Sequence, residues 1–341
     1  MKQFLHLLIL VLFCFCNTQD KVTPPNIIFI LTDDQGFGDL GVYGATDIKT
    51  PNLDRLAGEG ARFTSYYATQ PVCSASRASI LTGCYPDRIG IHNAYSPGSK
   101  VGLNPEETTL AELLKEKGYA TGIFGKWHLG DAPEFQPRKH GFDEYYGILY
   151  SNDMWPKHPQ QGAVFNFPDI KLYENETPLR VLEDQTFLTG ALTDRAIDFI
   201  KKNKENPFFV YLPHPQPHVP LFAIDSLKNT QKRGLYGDVI HEIDASVGRI
   251  LSTLEQEDLV ENTIVIFTSD NGPWLSYGGH SGSPGIFREG KGTNWEGGHR
   301  VPMIAWWPGK IKAASKSAQT VCLTDIIATA ADITGYKLPD D

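Results

Sequence analysis

The sequence predicts an α/β fold in which a mostly parallel, mixed sheet is flanked by helices. One observation is a series of short apolar runs rich in β-branched residues, typical of strands buried on both faces. A second is that helical segments lie between these runs, which favours crossover connections. A third is that polar residues follow several runs, where ligands bind in open α/β sheets. The runs are Asn26–Thr32, Tyr119–Phe124, Pro207–Leu212, Thr263–Ser269 and Val301–Trp307.

Two of the predicted helices have recognisable start signals. Thr50 followed by Pro51 fits an N-cap and a first helical residue. Thr109 and Glu112 have the spacing of a capping box, and Gly118 is placed to end that helix. These signals place two helices between the predicted strands.

A third helix and two long loops complete the pattern. The segment Asp238–Leu254 is amphipathic, which predicts a long helix packed on the sheet. Ser151–Pro178 is rich in proline, asparagine and aromatic residues, and Tyr277–Gly298 is rich in glycine. Both are predicted to be long loops of the kind that line binding sites. The apolar stripe of the long helix is Val239, Ile243, Val247, Ile250 and Leu254.

Composition limits the size and the partners of the protein. A chain of 341 residues can bury one large core or two modest ones. Its net charge of -9, with no long run of Lys and Arg, argues against nucleic-acid binding. An anionic substrate would therefore need a local cluster of cations or a metal.

The N-terminus has the features of a secretory signal over residues 1–16. Lys2 supplies the positive start, and Phe4–Phe15 supplies an apolar stretch that is too short for a membrane span. Removing this segment leaves three cysteines, Cys73, Cys84 and Cys322. Because three is an odd number, at least one of them is expected to be free, modified or intermolecular.

Cys73 begins a string that joins a reactive atom to an apolar helical run. If Ser74 or Ser76 caps this run, Cys73 lies at a helix N-terminus, where the helix dipole favours negative charge. Arg77 then follows one turn later on the same face. Such a cysteine could be a nucleophile or be converted into one. The alternative is a small buried hydrophobic residue on a helix.

Two of the strands are followed by acidic residues. Asp33 and Asp34 follow the first strand, and Asp270 and Asn271 follow the fourth. If these strands are neighbours, three carboxylates and an amide oxygen meet at one point, and such a set suits a hard cation such as Ca²⁺. Taken singly, each segment could equally be a polar turn.

Basic and histidine side chains follow the other strands. Lys126 and His128 lie two residues apart after the second strand, so on an extended segment they would share a face. A proline-rich loop after the third strand holds His214 and His218, and either could be a general acid. Lys291 lies between glycines that would let the backbone approach a ligand closely.

Together these motifs resemble the type I sulfatases, in order along the chain from about Pro25 to Asp341. The motif around Cys73 and the Lys-Trp-His motif are the specific ones. The matching segments are Asn26–Gly36, Cys73–Arg77, Gly125–Gly130, Asp270–Gly272, Gly290–Thr293 and Glu296–Gly298.

The resemblance assigns roles to individual residues. It implies that a maturation enzyme oxidises Cys73 to formylglycine, whose hydrate attacks sulfur, and that Arg77 holds the hydroxyls. His218 would lie beside the leaving oxygen, and Ser151 is a looser match to a serine that contacts sulfate. The predicted ligands of one Ca²⁺ ion are Asp33, Asp34, Cys73, Asp270 and Asn271. Groups contacting the sulfate or formylglycine would be Lys126, His128 and Lys291.

The resemblance also implies an activity and a context. We expect an alkaline-phosphatase-like core over residues 17–341 that hydrolyses an aryl or carbohydrate sulfate monoester. The partners would be a sulfated small molecule or glycan and the formylglycine-generating enzyme, and the location secreted, periplasmic or lysosome-like. The family's small C-terminal domain would be largely missing. The alternatives are a phosphomonoesterase or phosphodiesterase of the same superfamily and a truncated, non-catalytic, metal-stabilised glycan-binding protein.

Overall fold

A computed structural model describes residues 24–159 and 161–338, so the predicted signal at 1–16 lies outside the described residues. The strands in these ranges are β1 Asn26–Thr32, β2 Ala61–Phe63, β3 Tyr66–Tyr67, β4 Ala120–Lys126, β5 Glu144–Ile148, β6 Lys171–Glu174, β7 Thr177–Val181, β8 Phe208–Pro213, β9 Thr263–Ser269, β10 Met303–Trp306, β11 Ser315–Ser317 and β12 Val321–Cys322. The helices are α1 Pro51–Glu59, α2 Cys73–Thr82, α3 Leu110–Glu116, α4 Gly162–Phe165, α5 Leu188–Asn203, α6 Gly234–Gln256, α7 Glu296–His299 and α8 Asp325–Thr334.

Ten of these strands form one mixed sheet in the order β11-β2-β10-β9-β1-β8-β4-β5-β6-β7. The five central strands, from β9 to β5, are all parallel to their neighbours. β10 pairs antiparallel with β9, and β6 and β7 add an antiparallel hairpin at the other edge. The predicted α/β class with a mostly parallel, mixed sheet is confirmed.

The sheet is covered by helices on both faces because its central strands are apolar on both sides. In β1, Ile28 and Ile30 pack into a core with α1, α5 and α6. The alternate residues Ile27, Phe29 and Leu31 pack into a second core with α2, α3 and α8. Successive strand side chains point to opposite faces, so one continuous apolar run supports two cores.

Both predicted helix starts, at Thr50 and Thr109, are confirmed, but only Thr109 makes the capping hydrogen bonds. The Thr109 hydroxyl accepts a hydrogen bond from the Glu112 N–H, and the Glu112 carboxylate accepts one from the Thr109 N–H, which forms the predicted capping box. Thr50 is the N-cap of α1 but makes no capping hydrogen bond. Asp244 of α6 accepts from the Leu53 N–H at 2.8 Å instead, so the long helix caps the short one.

The prediction of a long loop was wrong for one of the two segments. Ser151–Pro178 contains α4 and β6 and the start of β7. Tyr277–Gly298 is largely irregular, as expected, until α7 begins at Glu296. Within the described part of the chain, no helix is long and apolar enough to cross a membrane.

Candidate functional site

The acidic strand ends meet because β1 and β9 are parallel neighbours in register. Thr32 pairs with Ser269, so the residues that follow each strand emerge side by side. The Asp34 N–H donates to Asp270 Oδ1 at 3.2 Å, and the Asn271 side-chain amide donates to Asp34 Oδ1 at 2.7 Å. Asp34 adopts a left-handed φ of 64°, which turns the chain directly after the strand. The predicted convergence of Asp33, Asp34, Asp270 and Asn271 is therefore present.

The donor set at this point could hold a metal ion. Ligand atoms of Asp33, Asp34, Cys73 and His218 all lie within 4.8 Å of one another. Asn271 Oδ1 is buried and has no hydrogen-bond partner among the described residues, although its amide nitrogen has two acceptors. An unpaired buried oxygen is costly unless something binds it, and a metal would do so. His218 joins this group, although sequence analysis gave it only a leaving-group role.

The carboxyl groups of Asp33 and Asp270 have pKa values shifted in opposite directions. Burial alone would raise the pKa of Asp33, but Lys126, His218, Arg77 and Lys291 together hold it well below its usual value. Burial and the neighbouring Asp33 raise the pKa of Asp270 to about 7, even though Arg77 opposes the shift. Two buried carboxylates cannot both ionise cheaply without further positive charge. A bound cation would supply that positive charge and favour the ionised form of both carboxylates.

Cys73 is the first residue of α2, as the sequence predicted, but no serine caps the helix. The N-cap is Val72, and it offers no side-chain hydrogen bond. The Ser74 hydroxyl accepts from the Tyr95 N–H at 3.0 Å, and the Ser76 hydroxyl donates to the Gln70 carbonyl at 2.6 Å. Both serines thus hold neighbouring loops against the helix. Because no side chain caps the helix, the Cys73 side chain lies at its open N-terminus.

The Cys73 thiol is buried between an acid and an amine. Its sulfur lies 3.4 Å from Asp33 Oδ1 and 3.3 Å from Lys291 Nζ. Burial raises the pKa of the Cys73 thiol, and the attraction of Lys126 and Lys291 does not compensate. The unmodified residue is therefore a protonated thiol at neutral pH and a poor nucleophile.

Arg77 binds the acidic strand ends. Its Nε donates to Asp270 Oδ2 at 3.0 Å, and its Nη1 donates to the Lys126 carbonyl at 2.9 Å. Its Nη2 lies 3.6 Å from Asp33 Oδ2. The guanidinium is completely buried, and burial works against its charge, yet Asp270 and Asp33 raise its pKa. Arg77 is a fixed positive charge under the site.

Lys126 and Ser151 contact each other at the end of β4. Lys126 Nζ donates to Asp33 Oδ2 and, at 3.0 Å, to the Ser151 hydroxyl. Both side chains are buried, and the ion pair with Asp33 holds the Lys126 side chain in place beside the cluster. Their contact supports placing Ser151 in the site, where the sequence gave only a loose match.

His128 lies in the site, but the reason given for its placement was wrong. It adopts a left-handed φ of 61°, so the segment after Lys126 is not extended and the two side chains do not simply share a face. His128 Nε2 donates to the Tyr95 carbonyl at 2.8 Å, while Nδ1 is buried with no hydrogen-bond partner in the described structure. Burial and Lys126 hold the pKa of His128 well below its usual value. The ring is neutral, with a free lone pair on Nδ1.

The proline-rich loop after β8 separates its two histidines. His218 Nδ1 donates to the Val219 carbonyl at 2.6 Å, and its Nε2 lies 3.4 Å from Asp34 Oδ2. His214 instead lies 3.3 Å from the Ser246 hydroxyl of α6, and burial lowers its pKa to about 4. Of the two candidates, only His218 reaches the cluster.

Lys291 completes the group of cations. Its Nζ lies 2.8 Å from Asp34 Oδ2 and 4.5 Å from the centre of the Trp274 ring. Burial opposes its charge, but Asp34 raises the pKa of Lys291 well above its usual value. Gly290 lets two loop backbones touch, since a Cβ there would lie 2.2 Å from the Pro273 carbonyl oxygen. Gly292 adopts a left-handed φ of 78°.

Trp274 is a site residue that sequence analysis missed. Its indole supports Lys291 and lies at 5.5 Å, edge to face, from the His218 ring. An aromatic face favours a cation placed over it and packs an imidazole without competing for its hydrogen bonds. Its position three residues after Asn271 was the available signal.

Away from the site, Cys84 and Cys322 are free, like Cys73, so the described cysteines form no disulfide.

Comparison with known proteins places this constellation in context. The family model described as Sulfatase matches residues 25–336. An N-acetylgalactosamine-6-sulfatase from Canis lupus familiaris is 44% identical over 335 residues, which cover 93% of this chain and 64% of the relative. Arylsulfatase A from Bos taurus is 40% identical, with 93% of this chain and 66% of the relative covered. The chain thus spans just under two thirds of the length of these two curated relatives.

A solved structure shares the fold. The crystal structure of Ps i-CgsB in complex with k-i-k-neocarrahexaose superposes with a TM-score of 0.82 and 36% identity. The match covers 93% of this chain and 73% of that one.

Proposed function

The chain belongs to the sulfatase family, and from this premise we propose that it hydrolyses a sulfate monoester to an alcohol and inorganic sulfate. The observation that carries the proposal is the position of Cys73. Its sulfur contacts Asp33 and Lys291, and the buried charges of Lys126 and Arg77 lie around the same carboxylates. Fixed positive charge beside a nucleophile position suits a substrate whose oxygens are negative.

The proposal includes one Ca²⁺ ion. The residues that would hold it are Asp33, Asp34, Asp270, Asn271 and the modified side chain at position 73. Ligand atoms of Asp33, Asp34 and Cys73 lie within 4.8 Å of one another and of His218, and hydrogen bonds join Asp270 and Asn271 to Asp34. A bound cation would neutralise sulfate oxygens as a Lewis acid. The unpaired Asn271 Oδ1 and the repulsion between Asp33 and Asp270 support this assignment.

The proposed nucleophile is formylglycine derived from Cys73. The buried thiol is protonated, and a thiolate or alkoxide at this position would be left as a stable sulfated enzyme. The hydrate of formylglycine supplies a hydroxyl for attack on sulfur and a second hydroxyl that lets sulfate leave as the aldehyde reforms. This requires a formylglycine-generating enzyme as a partner during biogenesis.

Two histidines would move the protons. His128 is neutral with a free Nδ1 lone pair, so it can accept a proton from a hydroxyl at position 73. His218 donates Nδ1–H to the Val219 carbonyl, which leaves Nε2 directed toward the cluster. A proton held on this Nε2 can be donated to the departing alcohol. Lys126, Ser151 and Lys291 would bind the sulfate oxygens.

The proposed substrate class is a carbohydrate sulfate. The canine relative is named for N-acetylgalactosamine 6-sulfate, and the solved structure holds a neocarrahexaose. We therefore place the sulfate on a sugar hydroxyl and name N-acetylgalactosamine 6-sulfate as the first compound to test. The proposed location is outside the cytoplasm, in a periplasmic, secreted or lysosome-like setting.

The test is release of inorganic ions from matched esters. Protein co-expressed with a formylglycine-generating enzyme is assayed with N-acetylgalactosamine 6-sulfate, an aryl sulfate and the corresponding phosphate esters. We expect sulfate release to exceed phosphate release and to vanish in Cys73→Ala. Preferential phosphate release would favour the phosphatase alternative. Calcium and glycan binding without release of either ion would favour a non-catalytic binding protein.

A further inference from the structure

A cavity of about 330 Å³ lies beside the catalytic cluster and has no part in the proposed chemistry. We propose that it binds the neutral sugar ring next to the sulfated one, an inference that rests on the proposed carbohydrate sulfatase activity. A volume of this size is in the range of small-ligand pockets in proteins. Its side-chain lining includes Asp131, Tyr150, Met154, Asp169, Lys171 and Tyr173.

The cavity shares a wall with the catalytic site. Tyr150 lines the cavity, and the next residue is Ser151, which accepts a hydrogen bond from Lys126. The Tyr150 ring also meets the His128 ring edge to face, with centroids 6.4 Å apart. We therefore place the ring next to the sulfated one across Tyr150, in the cavity.

The lining has the chemistry of a sugar subsite. Apolar side chains of Leu149, Met154 and Ile170 form part of the surface, and Tyr150 and Tyr173 add aromatic rings. Aromatic rings cover the apolar C–H face of a pyranose, while polar groups around them bind its hydroxyls. A flat aryl group would use the apolar surface but not the polar groups.

The charges favour a ring without a second sulfate. Asp131 and Asp169 are the acidic groups of the lining, and Lys171 is its basic one. Asp131 Oδ2 already accepts from the Gly98 N–H at 3.1 Å, and the same N–H lies 2.9 Å from the Tyr150 hydroxyl, so this wall is held in place. Carboxylates accept hydrogen bonds from hydroxyls and repel sulfate.

Strand alternation makes Tyr173 a good position to test the cavity. In β6, Leu172 is buried in the core, whereas Lys171 and Tyr173 belong to the other face and line the cavity. Trimming Tyr173 removes part of the cavity wall and leaves Leu172 in the core. Tyr336, near the end of α8, is a matched partly exposed tyrosine outside the cavity.

The experiment measures binding in a Cys73→Ala background, so that neither maturation nor turnover is needed. N-acetylgalactosamine 6-sulfate, alone and as the terminal ring of a disaccharide, is titrated calorimetrically. We expect the disaccharide to bind on the order of tenfold more tightly than the monosaccharide. Tyr173→Ala should remove most of this difference, and Tyr336→Ala should preserve it.

A second arm tests the charges. A disaccharide with an additional sulfate on the neighbouring ring should bind more weakly than the monosulfated one, and Asp169→Asn should narrow the gap. Equal binding of mono- and disaccharide, no measurable disaccharide binding, or an unchanged difference in Tyr173→Ala would overturn the subsite. Failure of the matured wild-type protein to release sulfate, with these binding differences intact, would instead refute the proposed catalysis.

Discussion

The strand-end cluster around Cys73 and the wall formed by Tyr150 and β6 are built in different ways. In the cluster, Asp33, Arg77 and Lys126 are completely buried and bind one another. In the wall, Tyr150 and Tyr173 are partly exposed and Lys171 is exposed. The difference indicates that the central parallel strands fix the chemistry, while an antiparallel edge of the sheet provides a surface that can change without disturbing it.

Replacing the nucleophile position should produce the largest effect. Cys73→Ala should lower sulfate release at least about a thousandfold, because it removes the side chain on which the proposed covalent intermediate forms. Cys322→Ala, at a free and partly buried cysteine away from the cluster, is the control. Steady-state assays of the matured proteins measure both. Substantial activity in Cys73→Ala would show that the cluster does not do the chemistry.

Removing a cluster cation should affect both activity and stability. Lys126→Ala removes a charge from the proposed sulfate site and leaves Asp33 buried with one partner fewer. We expect activity to fall about a hundredfold or more, and the free energy of unfolding to fall by about 3 kcal/mol. Lys115→Ala breaks an exposed pair with Asp143, so its stability should change by less than about 1 kcal/mol. Equal losses of stability in Lys126→Ala and Lys115→Ala would contradict the distinction between the buried cluster and more exposed parts of the molecule.

Removing the proposed Ca²⁺ ion should lower the stability of the folded protein. At a hundred times its Kd, a ligand that binds only the folded state adds about 2.7 kcal/mol of stability. Calcium should raise the Tm of the wild type, a chelator should lower it, and Asn271→Ala should reduce this response. Asn203→Ala, at the end of α5, should retain the full response. A Tm that is indifferent to calcium would remove the metal from the proposal.

A smaller effect is expected from acid titration of a buried histidine beside the site. His140 is buried against Trp127, and burial lowers its pKa to about 4. Below the unfolded pKa of about 6.5 the unfolded chain binds a proton that the folded one does not, so stability falls as the pH decreases toward 4.

The contribution of His140 to the loss of stability in acid can be measured by comparing variants with the wild type. His140 should contribute a loss of about 1–3 kcal/mol between pH 6.5 and 4. Urea unfolding of the wild type and His140→Phe across this range should show a shallower decline in the variant. Phe142→Leu changes packing nearby without a titrating group, so its difference from the wild type should not depend on pH. Parallel curves for all three proteins would contradict the assignment.

The strand ends could be predicted because periodicity and parallel geometry determine them. An apolar run such as Asn26–Thr32 indicates a buried strand, and acidic residues after two neighbouring strands must emerge at the same edge. The helix beginning at Cys73 followed from its apolar run. The strand, its polar end and the helix are local patterns, whereas the meeting of the two acidic ends also required β1 and β9 to be neighbours, which the sequence left as a condition.

Other features depend on contacts between distant segments and could not be predicted. The left-handed backbone at His128 follows hydrogen bonding of its N–H to the Leu149 carbonyl, and Trp274 matters only because Lys291 folds over it. The hairpin of β6 and β7 was missed because its residues are mostly exposed and include Pro178, so its apolar alternation is weak. The wall of the cavity was thus the least predictable part.

The most direct test of the central claim is the mass of the peptide that carries residue 73, from protein made in a host that matures sulfatases. The account predicts a peptide in which one sulfur and two hydrogens have been exchanged for one oxygen. Peptides with Cys84 and Cys322 should retain thiols that an alkylating reagent labels. An unmodified, alkylatable thiol at Cys73 in catalytically active protein would contradict the account.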